Sequence, residues 1–163
     1  MDRFHSLVHI SFVGLAFFVL TISSFEHVSA QANETAIVDK FIAKQAKDEN
    51  AEVYPVARKV LRGDINGDRK TDLVVLYTLE GFNGSNNYRD YLAVFLGNGK
   101  GFRYAGKEVV GGHAGRSVEL KSITNGRINL DTMDPKRGDP ACCPSKPGKT
   151  RYFFRNGKLR EIK

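Results

Sequence analysis

The segment Gly63-Asp64-Ile65-Asn66-Gly67-Asp68-Arg69-Lys70-Thr71-Asp72-Leu73-Val74-Val75-Leu76-Tyr77-Thr78-Leu79 passes without a break from an acidic, turn-rich loop into a run of aliphatic and β-branched residues. A run of that composition, bounded by Gly and Asn, reads as a strand entered through a tight loop. The same pattern recurs on both sides of it. Residues 56–61, 73–79, 91–96, 102–110, 118–123, 127–133, 151–154 and 159–162 are short apolar or alternating runs separated by turn residues. Four connections contain Asn-Gly, at Asn66-Gly67, Asn98-Gly99, Asn125-Gly126 and Asn156-Gly157. This dipeptide tolerates positive φ at both central positions of a hairpin turn, so the spacing predicts a meander of antiparallel strands. Residues 83–87 form a polar loop, and residues 134–149, rich in Pro and Gly, a longer irregular one.

Upstream the period changes. Ile37, Val38, Phe41, Ile42 and Gln45 fall at helical spacing, and Lys40, Lys44 and Lys47 take the opposite face. The pattern predicts a helix over 33–48 with Asn33 as N-cap and Glu34 in the first turn, and Pro55 ends the region. One stripe of that helix is apolar and must be covered. The expected fold class is therefore α+β, predominantly antiparallel β, with one N-terminal helix packed on a twisted meander sheet and no closed propeller.

Residues 1–30 begin with the single base Arg3, continue through an apolar stretch from Leu7 to Ile22, and end in Val28-Ser29-Ala30. That order predicts a cleavable signal peptide, hence an exported protein, periplasmic or secreted, beginning at Gln31. The apolar stretch is interrupted by Gly14, Ser23 and Ser24 and is short for the roughly 20 residues of a bilayer span, so no membrane anchor is expected after cleavage. The remaining 133 residues suit one domain, 31–163. Lys+Arg number 25 against 18 Asp+Glu, a net charge of +7, which becomes +8 once residues 1–30 are removed with one base and two acids. Such an excess favours acidic partners at long range, but it also serves solubility, and solubility is the reading the dispersed charges favour. The charges are dispersed along the chain without aromatic interleaving, so no specific nucleic acid is expected.

The acidic loop places Asp64, Asn66, Asp68 and Asp72 at its first, third, fifth and ninth positions, with the carbonyl of Lys70 at the seventh. Alternate oxygens of a tightly wound loop can converge on a hard cation that wants six to eight ligands, which makes calcium the expected cofactor. Arg69 replaces the glycine and Val75 the glutamate of an EF-hand, and Arg62, Arg69 and Lys70 oppose the local field, so any affinity is weak. A hairpin turn in which Asp and Asn bond their own backbone is the plainer reading of the same residues.

The cysteines are adjacent, Cys142 and Cys143, between Pro140 and Pro144. In an oxidising compartment they favour a vicinal disulfide bracing the loop, although neighbouring Cα atoms about 3.8 Å apart fall below the usual disulfide range and a distorted or cis peptide is expected. A disulfide between subunits, a redox pair, or a soft-metal site with His113 are the alternatives, the last short of the usual four ligands. His113 lies in a glycine loop with no serine elbow or metalloprotease motif, so no catalytic residue is assigned. Asp131, Asp134 and Asp139 read as solvated loop. Phe82 and Tyr88 flank the polar 83–87 loop, where exposed aromatics would anchor a partner.

Gly63 to Asp68, followed by Thr71 to Val75 and then by Val94-Phe95-Leu96-Gly97-Asn98-Gly99-Lys100-Gly101-Phe102, resembles one unit of the FG-GAP or VCBS type of repeat over residues 62–110. The resemblance implies an acidic loop between two strands that holds calcium. There is one copy, so no propeller closes, and Arg69 stands where the family has glycine. Asp139-Pro140-Ala141-Cys142-Cys143-Pro144-Ser145 looks like a C-terminal pattern recurring in small exported bacterial proteins, and it imports no activity. The expected function is a non-enzymatic exported module with a weak calcium loop that binds a protein or glycan. The alternatives are an inhibitor or immunity-type protein against a cell-wall enzyme or toxin, and a hydrolase or redox protein using His113 or the cysteine pair.

Overall fold

The computed structural model describes residues 22–162, with side chains from residue 33 onward. Helix α1 (Ile22–Asp48) precedes eight strands: β1 (Glu52–Gly63), β2 (Asp72–Glu80), β3 (Tyr88–Gly97), β4 (Phe102–Gly112), β5 (Ser117–Thr124), β6 (Arg127–Asp134), β7 (Lys146–Arg155) and β8 (Lys158–Ile162). The expected α+β class and all eight strands are present, but the strands divide into two sheets of four, β1-β2-β3-β4 and β5-β6-β7-β8, each an antiparallel meander. Neither sheet closes into a barrel or propeller.

The layers follow from burial. Val38, Ile42 and Ala46, spaced four apart on α1, pack on Leu73, Val75, Tyr77 and Leu79 of β2 and on Tyr91, Ala93 and Phe95 of β3. The opposite face of the same strands, Val74, Leu76, Leu92 and Val94, packs on Leu120, Ile128, Leu130, Tyr152 and Phe154 of the second sheet. Strand β2 is thus covered on both faces, which is why its sequence is a continuous apolar run and not an alternating one. Strands β6 and β7 alternate buried and exposed residues, because only their inner face is covered.

Four local expectations are corrected. Asn33 does not cap the helix: α1 extends back to Ile22, through a stretch with no Gly or Pro to stop it and across the expected cleavage point between Ala30 and Gln31. The rest of the expected signal peptide, residues 1–21, lies outside the described residues. Nor does Pro55 end the helix. Asn50 does, in the left-handed conformation (φ 48°), with the Ala51 amide bonded to the Ala46 carbonyl at 2.9 Å. Pro55 sits inside β1, the edge of the first sheet, at a register shift between Tyr54 and Lys59, where a missing amide donor is tolerated. Of the four Asn-Gly pairs, Asn125-Gly126 and Asn156-Gly157 have positive φ at both residues and close the β5–β6 and β7–β8 hairpins. At Asn66-Gly67 and Asn98-Gly99 only the glycine does, because the asparagine oxygens there accept backbone amides instead. The irregular loop ends earlier than expected, since Lys146 to Lys149 pair with β6.

Two polar groups fasten the layers. Between helix and sheet, the Glu49 carboxylate accepts from Gln45 Nε2 and Lys107 Nζ at 2.8 Å each and from the Tyr91 hydroxyl at 2.5 Å. Between the sheets, Arg116 donates to the Val110 carbonyl at 2.7 Å, the Tyr152 hydroxyl at 2.6 Å and Glu161 at 2.7 Å. Glu161 also accepts from Thr150 at 2.7 Å. The Arg116 guanidinium holds the Glu161 carboxyl down to about 2, and burial pushes the Tyr152 phenol up to about 12.

Candidate functional site

The β1–β2 loop is wound by its own side chains. Asp64 Oδ1 accepts the amides of Asn66 (3.2 Å) and Gly67 (2.7 Å), and Oδ2 accepts that of Arg69 (2.8 Å). Asn66 Oδ1 accepts from Asp68 N at 2.9 Å, and Asp68 Oδ1 from Lys70 N at 2.8 Å. Each short carboxylate or amide thus satisfies a backbone donor two to five residues ahead, the turn chemistry that Asp and Asn favour. Amide donation, first from Arg69 and then from Gly67 and Asn66, holds the Asp64 carboxyl below the usual carboxylate range, so it is ionised at any physiological pH.

Ile65 points the other way, into the core between the two sheets, and pins the loop to the sandwich. Asp72 is the anchor at the far end. It is fully buried, with Oδ2 accepting the Ile65 amide at 3.1 Å and Oδ1 accepting the Gly97 amide at 2.9 Å. This carboxylate ties the loop to the end of β3, and Gly97 is required there: a Cβ on it would lie 2.0 Å from the Thr71 carbonyl oxygen.

Sequence spacing grouped Asp64, Asn66, Asp68, Lys70 and Asp72 as one set of oxygens. The structure separates them into an exposed group, Asp64 to Lys70, and a buried brace, Asp72. Among the described residues no three His, Cys, Asp or Glu side chains converge on a common point. The exposed oxygens nevertheless suit a hard cation. Asp64 Oδ1 has both lone pairs engaged by the amides of Asn66 and Gly67, but Asp64 Oδ2 and Asp68 Oδ1 accept one amide each and keep a lone pair, and Asp68 Oδ2 meets only Lys70 Nζ, at 3.8 Å. Side chains of Asp64, Asn66 and Asp68 with the Lys70 carbonyl would hold the ion, and its charge would be offset there by two carboxylates. Asp72 is committed to the frame.

The sulfurs of Cys142 and Cys143 lie at disulfide distance, with Cα atoms 3.8 Å apart and no cis peptide among the described residues, so the cis alternative is not used. Both residues are exposed. Their loop is shaped by Asp139, which accepts the amides of Lys136 (2.8 Å) and Ser145 (2.9 Å) and the Ser145 hydroxyl (3.0 Å). Asp139 is therefore a turn-former, while Asp131 and Asp134, expected in a loop, belong to β6. The Ala114 amide donates to the Ala141 carbonyl at 3.1 Å, which brings the His113 loop beside the cysteine loop. His113 itself is exposed and lies edge-on to Tyr88, ring centroids 6.2 Å apart. No side-chain hydrogen bond activates it among the described residues.

The aromatic pair divides. Tyr88 remains at the surface, half-buried, but Phe82 is buried in the core under α1, with the Arg89 guanidinium 4.4 Å above its ring. A one-turn helix at Phe82–Gly84, entered through left-handed Gly81, turns Phe82 inward. It is not an exposed anchor.

Sequence reasoning missed the outer face of the second sheet. Cross-strand register places Arg127 of β6, Phe153 of β7 and Arg160 of β8 side by side in one row. Arg151 lies two residues along the same strand face on one side of Phe153, and the Arg155–Lys158 pair lies on the other. These residues are 24 to 33 positions apart between β6 and the others in the chain, and only strand pairing assembles them. The one available signal was the clean alternation of Arg151, Phe153 and Arg155 with Tyr152 and Phe154.

The fold and loop together define a mostly-β, three-layer module: one helix on a sandwich of two antiparallel meanders. No protein-family model matches the chain, and neither does any curated protein or solved structure.

Proposed function

We propose that the protein is an exported, non-enzymatic binding module whose β1–β2 loop takes a calcium ion weakly, and which recognises a protein or glycan. The observation that carries the calcium reading is the Asp64–Lys70 loop, an exposed coil of oxygen-bearing side chains with an ionised Asp64 at its centre. Its setting supports the resemblance to an FG-GAP or VCBS unit: strand, acidic loop, strand, then a second strand pair joined through Asn98-Gly99. Arg69, where that family has glycine, has φ 63°, a conformation glycine adopts most readily. The cations Arg69 and Lys70 keep the affinity low, whereas Arg62 is paired with Glu34.

Calcium titration of chelator-stripped protein tests the reading. A dissociation constant on the order of 10⁻⁴ to 10⁻³ M is expected, as in extracellular calcium modules. At about 10 mM calcium such a site stabilises the fold by about 1.4 to 2.7 kcal/mol, visible as a rise in Tm that Asp64→Ala abolishes. Absence of both heat and Tm shift at that concentration removes calcium from the function.

A further inference from the structure

We propose that the outer face of the second sheet is the recognition surface, and that its ligand is an anionic polysaccharide. This deepens the reading of the chain as a binding module; the face borders the β1–β2 loop at one end but does not need calcium in it. Arg127, Arg151, Arg155, Lys158 and Arg160 are all exposed on this face, around the half-buried ring of Phe153. None of the five makes an ion pair among the described residues. The acids of this outer face, Glu119 and Asp131, lie towards β5, where Lys121 and Lys59 already neutralise them, and Glu161 of β8 is turned inward to Arg116 and Thr150. The inner face of the sheet is filled by the core and the outer face is covered by no described element. Three shallow grooves open on or beside it: one past Arg127 and Phe153 that ends at the Asp64–Gly67 turn, one along Arg151, and one between Phe153 and Arg160.

Charge complementarity selects a polyanion, and the rest of the surface selects which kind. With adjacent strands about 4.8 Å apart, Arg127 and Arg160 flank Phe153 at a backbone separation of about 10 Å, a strip on which repeated carboxylates or sulfates can each meet a guanidinium fork. The apolar face of a sugar ring fits the single aromatic ring between them. Single-stranded nucleic acid is held by successive stacking rings, and Phe153 is alone, since Tyr152 and Phe154 point into the core. A membrane surface calls for apolar groups that protrude, and Phe153 is sunk between longer arginines. A protein partner calls for a water-excluding centre poor in charge, which five cations do not provide.

The test measures binding of the full processed chain to polygalacturonate and dextran sulfate, with neutral dextran, a thymidine oligomer and anionic phospholipid vesicles alongside, in EDTA and again in calcium. Binding to the two anionic polysaccharides in EDTA, falling with salt and absent for neutral dextran, is expected. The double variant Arg127→Glu/Arg160→Glu should weaken it by at least about tenfold, or about 1.4 kcal/mol. Arg151→Glu should weaken it less, and Phe153→Ala should weaken it without changing the salt dependence. Arg103→Glu, on the first sheet, should leave it unchanged. The proposal is overturned if neither polysaccharide binds, if the charge reversals on folded protein have no effect, or if the oligonucleotide or the vesicles bind more tightly than the polysaccharides. Because the assay runs in EDTA, failure of the calcium reading leaves this result standing, and failure here with calcium heat intact removes the face and keeps the loop.

Discussion

Replacing Asp72 by alanine withdraws two acceptors from the interior at once. The amides of Ile65 and Gly97, bonded at 3.1 and 2.9 Å to a carboxylate with no solvent exposure, would be left without partners. Each stranded buried amide costs about 1 to 3 kcal/mol, and hydrogen bonds to a charged acceptor lie towards the upper end. Removing the buried charge recovers part of that, so a net loss of about 3 kcal/mol is expected, a large fraction of the 5 to 15 kcal/mol typical of a domain. Asp72→Asn should cost nearly as much, because its NH₂ group would face one of the two amide donors. Urea unfolding in EDTA gives the direct measure: with m near 2 kcal/mol/M the midpoint should fall by about 1.5 M at unchanged m. In a thermal melt the same loss lowers Tm by on the order of 10 °C. The design separates a brace from a ligand. A brace is lost equally with and without calcium, whereas a ligand costs more when calcium is present. A loss below about 1 kcal/mol in EDTA, or one that emerges only with calcium, would refute the role assigned to this carboxylate.

Other outcomes follow from the same geometry. Gly97→Ala, whose Cβ would stand 2.0 Å from the Thr71 carbonyl, should destabilise by more than about 3 kcal/mol in urea unfolding, well beyond an exposed strand substitution. Arg69→Gly relieves a left-handed φ of 63° and should raise stability by about 0.5 to 1 kcal/mol while strengthening calcium binding through the lost positive charge. The Glu161 carboxyl is ordinarily near 4.5 and is held at about 2 in the fold, so its contribution is complete above about pH 4.5 and is lost as pH falls towards 2. Solvent screening reduces that contribution to about 1 kcal/mol, and urea midpoints at pH 5 and pH 3 should differ less in Glu161→Gln than in the parent. Reduction of Cys142–Cys143 should add two hydrogens by intact mass yet move stability by less than about 0.5 kcal/mol, because a link between chain neighbours closes almost no loop.

The strands were legible because each carries its own local signal, an apolar run and a turn, and neither depends on what the strand meets. The division into two sheets was not, although Leu73 to Leu79 held the clue: a strand with apolar residues on both faces, Thr78 alone excepted, has both faces covered, and one helix can cover only one. The helix start was misplaced because Asn33 makes a good cap only where the preceding chain leaves the helix, and residues 22 to 32 contain nothing to make it leave. At the acidic loop, sequence spacing grouped as one set oxygens that the fold divides between an exposed turn and a buried brace. Asp72 is eight residues from Asp64 and looks like another ligand, yet it begins β2 and is drawn inside by the amides of Ile65 and Gly97, the second of them 25 residues away. The same limit explains the charged face. A scan along the chain finds Arg127, Phe153 and Arg160 dispersed and infers a solvated surface, because cross-strand register is a long-range property. What spacing does preserve is the parity of each strand: with Tyr152 and Phe154 committed to the core, Arg151, Phe153 and Arg155 must point outward together. An outward ring between two arginines is the place on this molecule where folding concentrates charge that the sequence had spread out.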